Sequence, residues 1–199
     1  MDAEGTALAG YDLMRAKRSY REFLPVYEAA QNAYYVSPDV TYETEMTIEL
    51  GSKEIRLLHF VGHTRGDAVV WLPQDRILIT GDLVTLPVPF GGNDYPDSLI
   101  ESLERILSMD AAIIVPGHGA VQYTGEQVRF QLAMYRSLMD QAAQAARDRV
   151  TLDEFRESLD LKRFKERMVG DDPELSWGWE NYFYEEEVEN AYRTARGER

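Results

Sequence analysis

The sequence predicts an α/β domain of the α+β kind: a mixed or mainly antiparallel sheet with helices on one side. Three observations carry this. Short apolar runs come in pairs joined by turn signals, as hairpins do. Capping boxes of the form Ser/Thr-x-x-Glu/Gln stand where helices would open. A length of 199 residues at 44% hydrophobic content suffices for one sizeable domain, or one with an appendage.

Residues 10–24 read as a helix, with Leu13, Met14, Tyr20, Phe23 and Leu24 near helical spacing, and Pro25 ends or kinks it. Residues 41–50 alternate as a strand, with Tyr42, Met46, Ile48 and Leu50 on one face. Gly51-Ser52-Lys53 turns the chain into a strand over 54–61. A second strand pair covers 68–72 and 76–80 across Pro73-Gln74-Asp75. Residues 83–97 form a long loop rich in Pro and Gly, and a loop of that length beside a candidate site is more often a wall than a connector. Ser98-x-x-Glu101 opens a helix to about Met109, and residues 111–115 read as a buried strand. Thr124-x-x-Gln127 opens a long helix to about Arg147, and Thr151-x-x-Glu154 opens a shorter one. The organisation expected is a domain over 1–148 and a helical extension over 149–199 packed on it.

The extension is acidic: from position 171 to 199 nine acidic residues stand against three basic ones. Yet Trp177, Trp179, Tyr182, Phe183, Tyr184, Val188 and Tyr192 make it too apolar to stay disordered. It is expected to end in a docked helix, with its Glu185-Glu186-Glu187 run largely in water.

Three glycine-flanked motifs hold most of the chemistry: Gly62-His63-Thr64-Arg65-Gly66-Asp67, Thr80-Gly81-Asp82-Leu83 and Pro116-Gly117-His118-Gly119. Each follows an apolar run, so each puts a metal-competent side chain in a turn at a strand end. His, Asp and His converging there would suit zinc or a similar divalent ion. Either histidine alone reads equally well as structural. Asp67 is a turn residue or a partner that orients a ligand. His59 lies inside an apolar strand and reads as a half-buried structural histidine. The case rests on the set, whose spacings of 19 and 36 residues only a fold can close.

Residues 38–121 resemble the second half of a metallo-β-lactamase-fold hydrolase. The matching stretches are Pro38-Asp39-Val40, Gly62-His63-Thr64-x-Gly66-Asp67, Val69-Val70-Trp71-Leu72-Pro73, Ile79-Thr80-Gly81-Asp82 and Val115-Pro116-Gly117-His118-Gly119. The helices after Thr124 are similar to the tail of a hydrolase branch of that superfamily. The resemblance implies the C-terminal half of an αββα sandwich, in which each half covers the other's apolar sheet face. It assigns His63 to the first zinc, Asp82 to a carboxylate bridging two metals and His118 to the second metal. Thr64, Gly66, Asp67, Gly81 and Gly117 are the surrounding motif residues. The activity implied is hydrolysis of an ester, thioester, amide or phosphoester, with a metal-bound hydroxide as nucleophile.

The family's earlier H-x-H-x-D-H motif is absent, since no histidine precedes His59. The expectation is therefore that the N-terminal half is lost, lies on another chain, or is cut off by a late start. A complete family site holds two zinc ions; this chain is expected to hold at most one, weakly. The alternative to a hydrolase is a catalytically incomplete half-domain that acts with a partner, as a homodimer, or as a non-enzymatic module.

The remaining composition excludes more than it assigns. A net charge of −14 argues against nucleic acid as partner, and Arg15, Lys17, Arg18 and Arg21 read as a solvated helix face. That charge also argues against a third class, the nucleic-acid-processing enzymes, leaving a small-molecule substrate. No apolar run is long enough to span a bilayer, and Met1-Asp2-Ala3-Glu4-Gly5 lacks the pattern of a signal peptide. With no cysteine there is no disulfide and no thiolate chemistry.

Overall fold

The structure is a computed structural model that describes residues 10–31, 33, 34, 36–91 and 95–198. The N-terminal five residues and Gly92-Asn93-Asp94 of the long loop lie outside the described residues. The chain divides into two compact units, Met1–Thr41 and Tyr42–Arg199.

The first unit carries helix α1, Gly10–Ala30. Pro25 neither ends it nor marks its last turn: the helix runs five residues further. Proline removes one backbone donor, and the bonds on either side of the gap still close the turns. Tyr20, Phe23, Val26 and Tyr27 are exposed, as are Lys17 and Arg21.

The second unit is built on one five-stranded sheet in the order β1-β2-β3-β4-β5. The strands are β1 Glu45–Leu50, β2 Lys53–Phe60, β3 Asp67–Leu72, β4 Ile77–Thr85 and β5 Ile113–His118. The first three pairings are antiparallel and β4·β5 is parallel, crossed over by helix α2, Pro96–Ser108. The mixed α/β architecture is thus as the sequence predicts. The first strand is shorter than expected, beginning at Glu45 rather than 41. The β1–β2 turn is tight: Leu50 pairs with Lys53, and Gly51 takes φ +63°.

Five further helical segments follow: α3 Glu126–Asp148, α4 Leu152–Ser158, α5 Lys162–Val169, α6 Pro173–Gly178 and α7 Glu185–Ala195, with a π-helical turn over Trp179–Tyr184. Of the three capping boxes only Thr151–Glu154 forms. Helix α2 starts at Pro96, two residues before Ser98, because proline at the first turn presets the helical φ and lacks the N–H that a cap would satisfy. Helix α3 starts at Glu126 behind Gly125, with Thr124 Oγ1 accepting only a long 3.4 Å bond from the Glu126 N–H.

Strand register sorts the sheet into two faces. On one, Leu58 and Val69 are paired and buried, and Leu78 is buried beside them. They pack under Leu99, Leu103 and Ile106 of α2, Val128, Tyr135 and Leu138 of α3, and Val188 and Ala191 of α7. Trp179 and Phe183 of the π-helical turn complete this core, Phe183 edge-on to Tyr135 at 6.0 Å. On the other face register aligns Met46, Leu57, Val70, Ile79 and Val115 in a row across all five strands. None of the five is in the buried core, and Ile79, like Ile48 and Leu50, is exposed.

The C-terminal segment ends in a docked helix, with Val188 and Tyr192 buried as their spacing requires. The acidic run departs from expectation at one residue. Glu187 is fully buried against the long loop, because the helix face bearing Val188 and Ala191 also carries it inward.

Two stability outcomes follow from this packing. Phe183→Ala should cost about 3–5 kcal/mol, the usual range for a fully buried aromatic, read as a lower urea midpoint. The Glu154 carboxyl is held below its usual value, first by the Thr151 backbone N–H and then by the Thr151 hydroxyl. A depressed carboxylate stabilises the fold above its unfolded pKa, and that contribution is lost as pH falls through the folded value. Glu154→Gln should therefore flatten the acid limb of the stability curve; an unchanged limb would remove the capping box from the account.

Candidate metal centre

The centre is assembled at one end of the sheet by a turn and two adjoining strands. The turn after β2 presents His63. Asp67 ties that turn: its Oδ1 and Oδ2 each accept from the Thr64 backbone N–H at 3.1 Å, and Oδ1 accepts from the Thr64 hydroxyl at 2.7 Å. Gly66 N–H donates to Thr64 Oγ1 at 3.1 Å. Asp67 is thus a residue that holds the His63 turn. His59 is structural as expected, its Nε2 2.8 Å from the Arg65 carbonyl oxygen.

Asp82 sits differently from the sequence reading. It was expected in a turn after a strand ending at Thr80, but β4 continues through it to Thr85. Gly81 absorbs the irregularity: its φ is +55°, and the β4–β5 register shifts on both sides of it. The shift re-aims Asp82 while Leu83 and Val84 return to the core. Buried Gln131 secures the displaced backbone, donating from Nε2 to the Leu83 carbonyl at 3.0 Å. His118 likewise belongs to the end of β5 rather than to a turn beyond it.

The geometry joins all three candidate residues through one carboxylate. His63 Nε2 lies 3.8 Å from Asp82 Oδ2, and His118 Nε2 lies 3.6 Å from Asp82 Oδ1. Each carboxylate oxygen therefore faces a different imidazole. His63 is the most enclosed of the three and His118 the most open. Gly117 makes the approach possible: a Cβ there would stand 2.0 Å from Asp82 Oδ1.

These groups match part of a metal site. Neighbouring ligands of a tetrahedral zinc with bonds of about 2.1 Å stand roughly 3.4 Å apart, close to both nitrogen–oxygen separations. Each His–carboxylate pair supplies two donors of the four an ion needs. Among the described residues, however, no three or more His, Cys, Asp or Glu side chains are grouped closely enough to hold a metal ion as they stand.

Aromatic rings border the centre. Phe90, on the long loop expected to be a wall, has its ring centroid 6.3 Å from that of His63. Tyr95, on the same loop, has its hydroxyl accepting from Arg65 Nε at 3.0 Å. Sequence reasoning missed Tyr182 and Trp177, which extend the aromatic border from the C-terminal segment. Their only sequence signal is an aromatic density too high for an acidic tail.

Comparison with known proteins identifies the family and the fold. The family model described as the metallo-beta-lactamase superfamily matches residues 6–118. A type 2 metallo-beta-lactamase of a Bacillus species is 30% identical over 101 residues, covering 47% of this chain and 39% of that protein. Among solved structures, a metallo-beta-lactamase family protein of Thermus thermophilus aligns with TM-score 0.59 at 17% identity, over 92% of this chain and 60% of the other. A stereoselective inverting sec-alkylsulfatase of a Pseudomonas species aligns with TM-score 0.63 at 17% identity, over 82% of this chain and 28% of the other. The two structural likenesses show the fold. The chain spans about half or less of the length of the curated relatives it matches.

One substitution tests the close approach. Gly117→Ala should push the Asp82 carboxylate away and cost about 1–3 kcal/mol by overpacking. An unchanged urea midpoint would show that the carboxylate has room to spare.

Proposed function

The chain belongs to the metallo-β-lactamase superfamily, and from that premise we propose that it works as a metal-dependent hydrolase of a small molecule, with zinc at the His63–Asp82–His118 centre. The observation that supports this best is the single carboxylate placed between two imidazole nitrogens. A divalent ion there would supply Lewis acidity, making water nucleophilic at neutral pH and polarising the scissile oxygen. His63, Asp82 and His118 would hold it. Asp67 fixes the turn that aims His63. The net charge of −14 favours a small-molecule substrate over nucleic acid.

A second reading is favoured by two specific observations. Three donors are too few to close two metal positions, and the sheet carries an apolar row on the face opposite α2, α3 and α7. On this reading the chain is a half-domain, active only when a second β-layer bearing the remaining ligands is supplied, from a separate N-terminal half or another partner. Two copies could cover the face as a homodimer, but they would duplicate these three residues without adding the missing motif.

Metal stoichiometry separates the readings. The isolated chain should retain at most one zinc ion, with modest affinity, lost on prolonged dialysis and abolished by His118→Ala or Asp82→Asn. Two zinc ions tightly retained per chain would mean that the site is closed by ligands within the chain or its dimer. The isolated chain with added zinc should not turn over ester, thioester or β-lactam substrates, and turnover should appear on complementation. A zinc-dependent monomer inactivated by His118→Ala would overturn the half-domain reading.

A further inference from the structure

Three aromatic rings run from the candidate metal centre to the C-terminal helices. His63 meets Phe90 at 6.3 Å between centroids, Phe90 meets Tyr182 at 5.7 Å, and Tyr182 meets Trp177 edge-on at 5.1 Å. Rings that only fill space end up buried, as Trp179 and Phe183 do in the same turn. Phe90 is instead 44% exposed and Tyr182 39% exposed. Clustered apolar surface beside a polar centre is what a ligand covers.

The backbone around these rings is built to hold them there. Tyr182 lies in the π-helical turn Trp179–Tyr184, a local widening found frequently at functional sites. The widened turn lets the Tyr182 carbonyl accept from the Gly91 N–H at 2.7 Å. Asn190 Nδ2 of α7 donates to the Gly91 carbonyl at 2.7 Å. Both backbone groups of Gly91 are thus fixed to the C-terminal segment, one residue from Phe90. The contact admits no side chain at 91: a Cβ would meet Glu187 Cβ at 2.6 Å and its Oε2 at 2.9 Å. Backbone contacts thus help to set the two rings beside the centre, together with the ring contacts between them.

We infer that Phe90 and Tyr182, backed by Trp177, form the subsite for an apolar aryl or alkyl group of the substrate, next to the bond hydrolysed at the His63–Asp82–His118 centre. The inference rests on the hydrolase reading above and names the substrate class for that same site. It makes the C-terminal extension part of the recognition surface. Tyr182 and Phe90 are specificity residues and take no part in the chemistry.

The test compares 4-phenylbutyrate with butyrate by titration calorimetry on the purified chain, with and without saturating zinc. Phenylbutyrate should bind on the order of tenfold more tightly. Phe90→Ala and Tyr182→Ala should each remove most of that advantage, Tyr182→Phe should keep it, and zinc uptake should be the same in all. Equal binding of the two acids, no measurable binding of phenylbutyrate, or alanine variants that bind it like the parent would each overturn the subsite. The comparison of the two acids on the parent chain needs no variant, so it stands even where a substitution unfolds the chain. The hydrolase reading fails separately, as absent zinc uptake and absent turnover on complementation, while the ring-dependent preference persists.

Discussion

The placement of the Asp82 carboxylate is the constraint on which the rest of this centre depends. A regular β4 would alternate its side chains between core and opposite face. The left-handed Gly81 breaks that alternation, so Asp82 leaves the pleat while Leu83 and Val84 rejoin the core. β5, lying parallel to β4, supplies Gly117 against the carboxylate and His118 just beyond it. A carboxylate is an acceptor with two oxygens, so one group can face two imidazoles on different sides. Moving it by the width of a methyl group would break both relations at once.

The same sheet carries apolar residues on both of its faces. One face is packed beneath α2, α3 and α7, and its counterpart carries Met46, Leu57, Val70, Ile79 and Val115 in register. A sheet apolar on both faces is suited to a middle layer. The family resemblance implies a second β-layer in that place, bearing the earlier histidine motif. On the half-domain reading proposed above, the apolar row and the missing metal ligands would have one source.

What could be read from the sequence follows the range of the forces involved. The hairpins β1–β2 and β3–β4 were legible because alternation and turn residues are local, and Val188 and Tyr192 were legible as one helix face. The bulge at Gly81 was not, because Gly-Asp after an apolar run reads as a turn unless the neighbouring strand is known. Ser98 looked like a cap, but Pro96 opens the helix first. Glu187 looked solvated within an acidic run, and only the docking of the Gly91 segment takes it out of water. The three motif residues were legible as a set from the family resemblance, since spacings of 19 and 36 residues carry no local signal.

The C-terminal segment shows how a region with no motif can still shape a site. Its burial of Trp179 and Phe183 anchors the π-helical turn in the core, and the anchoring leaves Tyr182 facing the other way. The Tyr182 carbonyl and the Asn190 side chain then hold Gly91, which sets Phe90 beside His63. Core packing is thereby transmitted to the border of the metal centre through two hydrogen bonds and one glycine. On the hydrolase reading proposed above, a polar centre flanked on one side by fixed rings would distinguish the two ends of an elongated substrate, so that its orientation would be settled before any bond is broken.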